Sequence, residues 1–136
     1  MQTSGYSGTP LAKKLGIKEG FKIRLINSPE YYFELFTDLP ENISILKDTK
    51  SKKNFIHCFV KQEKELHKNI PSLKNEILPN GIIWISWPKK ASKVTTDVTE
   101  DLIRNLALAS GLVDIKVCAV DEIWSGLKLV IRKERR

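Results

Sequence analysis

Cysteine is scarce in this chain: two among 136 residues, Cys58 and Cys118, each inside an apolar run. That excludes a disulfide-stapled scaffold and reads as two unpaired, buried thiols of a cytosolic protein. Histidine is equally rare, and no Cys/His set has metal-ligand spacing, so no metal is expected. No glycine-rich fingerprint follows the first predicted strand, which runs on as Ile26-Asn27-Ser28-Pro29. Dinucleotide and S-adenosylmethionine sites need such a turn for close backbone approach, so no cofactor is expected. A P-loop and a nucleophile elbow are missing too, which leaves no recognisable catalytic motif. No apolar run approaches the ~20 residues of a membrane span. The opening residues carry no basic segment leading into an apolar one, so a secretory signal is not expected. A cytoplasmic protein without membrane contact is the expectation.

What is present is charge. Twenty-three Lys+Arg against 16 Asp+Glu leave a net +7. An excess of that sign favours an anionic partner, such as a phosphorylated small molecule, nucleic acid or an acidic protein face. The length suits one domain, here residues 1–136, with a flexible arm at 1–8 and a basic tail at 133–136.

Hydrophobic periodicity supplies the elements. Thr9 as cap and Pro10 at the first helical position predict a short helix over 10–15, stopped by Gly16. Residues 21–26 alternate as a strand. Ser28-Pro29-Glu30 opens a predicted helix with Tyr32, Leu35, Phe36 and Leu39 on its buried stripe, ended by Pro40. A short strand follows at 43–46, then a lysine-rich loop at 47–53 expected to be solvated. Residues 54–60 form a near-continuous apolar strand. Leu66, Ile70, Leu73 and Ile77 mark a helical stripe, with a kink or break expected at Pro71. Leu78-Pro79-Asn80-Gly81 reads as a turn into a central strand that stops at Pro88. Asp97 and Glu100 predict the capped start of a helix that Gly111 stops. Residues 112–120 and 126–132 are the last two strands, too close for a crossover and therefore an antiparallel hairpin. The order implies one Rossmann-like three-layer α/β domain: a mostly parallel sheet, helices on both faces and a C-terminal antiparallel hairpin.

In open parallel sheets, ligands gather outside the carboxyl ends of the strands. Asn27 and Ser28 follow strand one, Lys61 the apolar strand, and Trp87, Lys89, Lys90, Lys93, Thr95 and Thr96 the central strand. Lysines, hydroxyls and a helix N-terminus suit an anion, although Asp97 and Glu100 would oppose one. Trp87 beside lysines could act as a stacking platform, and Trp124 in the last loop as an exposed protein-contact anchor. His57 and Cys58 are adjacent, so on a strand they face opposite ways and cannot form a dyad together.

Residues 5–17, the run Ser86-Trp87-Pro88-Lys89-Lys90, and residues 96–101 and 113–128 resemble a bacterial family known as domain of unknown function three-zero-five-two. The resemblance spans nearly the whole chain and implies a stand-alone bacterial domain with no catalytic residues to carry over. A looser similarity joins residues 55–60, the helical stretch after them and residues 78–86 to the later half of class I methyltransferase-like folds; the cofactor turn does not match. The reading that follows is a binding or interaction domain with an anion- or partner-binding loop at 87–96. Its alternatives are a nucleic-acid-associated basic protein and a small enzyme using His57 or Cys58.

Overall fold

A computed structural model describes residues 8–136; the expected arm, Gly8 apart, lies outside them. Six strands form one mixed sheet in the order β2-β1-β3-β4-β6-β5. They are β1 Lys22–Ile26, β2 Ser44–Ile45, β3 Lys53–Phe59, β4 Ile77–Pro88, β5 Leu112–Ala119 and β6 Trp124–Ile131. The first four pair in parallel, while β6 runs antiparallel to both β4 and β5. The expected hairpin is present, but its second strand lies inside the sheet and its first forms the edge.

One face carries α2, Glu63–Leu73, and α3, Glu100–Ala109. Leu66, Ile70 and Leu73 of α2 meet Ile56, Cys58, Ile83 and Ile85 in one core. Full burial of each such side chain contributes about 1.5–3 kcal/mol. Pro71 lies inside α2, which continues to Leu73 instead of breaking there. Ile77 joins the same core from β4, so the stripe extends beyond the helix. Residues 78–81 are an excursion within β4. Lys53 and Phe55 of β3 face Ile77 and Ile82, two places apart on one strand and five on the other.

The other face departs from the three-layer expectation. It is covered by α1, Leu11–Leu15, and by a largely irregular segment whose helical part is the 3-10 turn Tyr32–Leu35. Pro10, rather than Thr9, sits at the N-cap of α1, and Gly16 closes it in the left-handed conformation at φ 88°. The long helix expected after Ser28 does not form. Its aromatic residues are mediocre helix formers, and their tertiary partners outweigh the periodic pattern. Tyr32 is buried, with rings of Phe33, Phe36, His57 and Phe59 around it. Asp38, from the same segment, accepts the Ala12 and Lys13 amides, each at 3.0 Å, and so ties it to α1.

The loop expected to be wholly solvated ends in a buried charge. Lys53 is fully buried at the start of β3. Its ammonium donates to the Asp48 carbonyl at 2.6 Å and to Glu76 at 3.2 Å. Arg24 grips both Glu76 oxygens, at 2.6 and 2.7 Å. The tail ends in a 3-10 turn at Lys133–Arg135, and the Arg136 guanidinium donates back to the Ile131 carbonyl at 2.9 Å. No helix of the described residues is long and apolar enough to cross a membrane.

Candidate functional site

Because β1, β3 and β4 are parallel, their carboxyl ends share one edge, where the sequence places its candidates. Asn27 leaves β1 at φ 56°, a left-handed conformation asparagine tolerates, and its amide reaches the Phe59 carbonyl at 3.5 Å. Ser28 is half-buried beside it. After β4 the chain forms a short 3-10 turn, Lys90–Ser92, and reverses at Lys93 with φ 62°. The Ser92 hydroxyl donates to the Lys89 carbonyl at 2.7 Å, and the Lys89 amide donates to the Ile123 carbonyl at 2.8 Å. The Thr96 hydroxyl donates to the Lys61 carbonyl at 2.6 Å. Loops after β3, β4 and β5 are thereby tied together, with Lys61, Lys90, Lys93 and Thr95 exposed.

Two expectations about this edge are corrected. Asp97 does not cap α3; it accepts the Glu63 amide at 2.7 Å, at the start of α2. Thr99 caps α3 instead, accepting the Leu102 amide at 3.2 Å. Gln62 and Glu65 form a capping box on α2. Side chains of the chain itself therefore occupy amides at both helix starts, which weakens the expected anion cradle. Nor is Trp87 a stacking platform. It is 9% exposed and packs in the core with Val98.

Trp124 is likewise not an exposed anchor, being 6% exposed. Its indole N–H donates to the Tyr31 hydroxyl at 3.2 Å, and its ring meets Phe59 edge-on with centroids 5.0 Å apart. Asp121 holds the loop before it by accepting the Ile123 and Trp124 amides at 2.8 and 2.7 Å.

His57 and Cys58 do face opposite ways, and both are fully buried. His57 Nδ1 lies 2.9 Å from the Tyr32 hydroxyl and Nε2 lies 2.7 Å from the Ser86 hydroxyl. The imidazole stacks on Phe59 at 4.3 Å. Burial pushes its pKa down to about 3 and the Cys58 thiol up to about 12. A general base needs access and a pKa near working pH; a nucleophilic cysteine needs a thiolate. Neither residue fits the catalytic part expected of it.

Two clusters went unseen in the sequence: the Arg24–Glu76–Lys53 network and a lysine-lined groove of about 690 Å3 between α1 and the β5–β6 hairpin. Both combine residues far apart in the chain, and only the pairing register brings them together. Among the described residues, no group of three His, Cys, Asp or Glu side chains could hold a metal ion.

No family model matches the sequence, and no curated protein matches it either. Solved structures do match in shape. An S-adenosylmethionine-dependent methyltransferase from Clostridium acetobutylicum has a TM-score of 0.58 at 8% identity, covering 88% of this chain and 87% of that one. A SAM-dependent methyltransferase from Aquifex aeolicus has 0.57 at 17%, covering 88% and 87%. The Methanococcus jannaschii fibrillarin pre-rRNA processing protein has 0.57 at 12%, covering 84% and 67%. At such identities the likeness concerns the fold alone: this chain has a methyltransferase-like α/β fold.

Proposed function

We propose that residues 1–136 form a single Rossmann-like domain that uses a methyltransferase-type scaffold for binding, with its anionic ligand or partner met at the 87–96 loop. The observation that carries this reading is the exit from β1. Asn27-Ser28-Pro29 supplies no glycine, and the chain enters a 3-10 turn at Tyr32 rather than an α-helix. The backbone approach and the helix N-terminus that hold such cofactors in glycine-turn folds are both missing at that point. At the neighbouring strand ends, Lys61, Lys90, Lys93 and Thr95 are exposed on loops fixed by hydrogen bonds.

The second reading is a small enzyme, and the two S-adenosylmethionine-dependent methyltransferases among the neighbours favour it. It would have to act through residues other than His57 and Cys58.

Residue-resolved amide NMR separates the two. Pyrophosphate is expected to shift amides at 61 and 89–96, and S-adenosylmethionine to shift none. Saturable shifts at 26–30 with S-adenosylmethionine would overturn the binding reading in favour of the enzyme. An unmoved 89–96 loop with pyrophosphate would remove the anion site.

A further inference from the structure

Five lysines gather where α1 packs beside the β5–β6 hairpin. Lys116 and Lys128 are directly opposite each other in the antiparallel pair, so their side chains share a face. Lys13, Lys14 and Lys116 line a groove of about 690 Å3 with Thr9, Cys118 and Ser125. Lys14 is anchored by a 3.0 Å bond to the Ala119 carbonyl. Lys18 lies close enough that it and Lys116, after burial as the main cause, hold the Lys128 ammonium below its usual pKa.

The carboxylate tied to this cluster, Asp38, accepts the Lys13 backbone amide at 3.0 Å rather than an ammonium group. Among the described residues no carboxylate lines the groove, and none of these five lysines belongs to a salt bridge. Like charges directly opposite on paired strands are destabilising. Lysine on an edge strand guards against unwanted strand pairing, which accounts for Lys116 on β5. It does not account for Lys128, because β6 is paired on both sides. An anion bound between them removes that conflict.

The chemistry narrows the anion. The cluster contains no arginine, so it offers point charges rather than the planar fork that grips a carboxylate in two places. Among the described residues no aromatic side chain lines the groove, which favours contact with phosphates over stacking on a base. We propose that this groove binds a run of phosphate groups through Lys13, Lys14, Lys116 and Lys128, with Lys18 at its end. A nucleic-acid backbone and a free polyphosphate both present that chemistry. None of residues 87–96 lines the groove, so the proposal does not rest on that loop.

The test is fluorescence anisotropy with a labelled single-stranded oligonucleotide of about 16 nucleotides, with tripolyphosphate as competitor, and isothermal titration calorimetry with tripolyphosphate alone. Four phosphate contacts predict a log–log salt slope of roughly −2.8 for the oligonucleotide. Lys116→Ala with Lys128→Ala is expected to weaken binding at least tenfold and to flatten the slope by about 1.4. Without ligand the same variant should melt no lower than the parent, since a repulsion has been removed. Oligonucleotide binding that tripolyphosphate does not displace identifies the nucleic-acid backbone; binding of tripolyphosphate alone identifies a free polyphosphate. The proposal fails if neither binds, if the double variant binds as the parent does, or if Lys90→Ala with Lys93→Ala abolishes binding instead. It also fails if polyglutamate competes as well as tripolyphosphate, which would point to an acidic protein.

Discussion

The sealed imidazole of His57 makes a pH dependence that can be worked out in advance. In the unfolded chain its pKa is about 6.5; in the folded protein burial lowers it to about 3. Below pH 6.5 the unfolded state therefore binds a proton that the folded state refuses. Stability on this account is fully present above pH 6.5 and is lost as the pH falls towards 3. The limiting slope is about 1.4 kcal/mol per pH unit, and the loss reaches about 2.5 kcal/mol by pH 4.5. Ordinary carboxylates begin to titrate at the lower end of that window, but they are common to the parent and to a His57 variant, so the difference between the two curves isolates His57. Urea denaturation between pH 7.5 and 4.5 measures it directly. His57→Gln keeps a donor and an acceptor for Tyr32 and Ser86 and removes the titration, while His67 stays in both proteins. The parent curve should fall steeply in this window and the variant curve should run nearly flat. Parallel curves would refute the reasoning and would mean that solvent reaches His57, which would reopen it as a candidate base.

Two further perturbations test the packing around the sheet. Glu76→Ala leaves the fully buried Lys53 ammonium without its nearest carboxylate and is expected to cost about 3–5 kcal/mol. Replacing Arg24→Met, Lys53→Met and Glu76→Leu together should recover most of that loss, and a single-variant cost below about 1 kcal/mol in urea would contradict the buried-network account. At Gly126 an added Cβ would lie 3.0 Å from Trp84 Cε3 and 3.3 Å from Ser86 Oγ. Trp84 cannot easily give way, since its indole N–H is held by the Leu15 carbonyl at 2.8 Å. Gly126→Ala should therefore cost about 1–3 kcal/mol and alter the near-ultraviolet tryptophan signal, and an unchanged melting temperature would show the contact to be slack.

The helix-covered face was legible in the sequence and the other face was not. Leu66, Ile70 and Leu73 repeat at helical spacing, and β3 and β4 are apolar runs too dense for half-exposed strands. Tyr32, Leu35, Phe36 and Leu39 show an equally good helical period, yet Tyr32 meets His57 from a 3-10 turn. Local periodicity cannot anticipate a hydrogen-bonded partner 25 residues away. The strand-end loops stood where expected, but Trp87 and Trp124 proved to be core, because a residue at a strand exit can still face inward. Lys53 shows the reverse error: a lysine in a charged run looks solvated until a carboxylate from another loop reaches it. The Lys116–Lys128 pair needed the hairpin register, and a bulge between Asp114 and Lys116 shifts that register by one.

The position of β6 bears on how the molecule is made. The strand nearest the end of the chain is hydrogen-bonded into the middle of the sheet, between β4 and β5. During synthesis β1 to β4 can assemble first, leaving the flank of β4 unpaired until residue 131 has emerged. That flank includes Ile83, Trp84 and Ile85, an apolar segment of the kind that invites intermolecular pairing. Completion of the sheet therefore waits on the last of its strands in sequence order, and until β6 pairs, the β4 flank is open to intermolecular pairing.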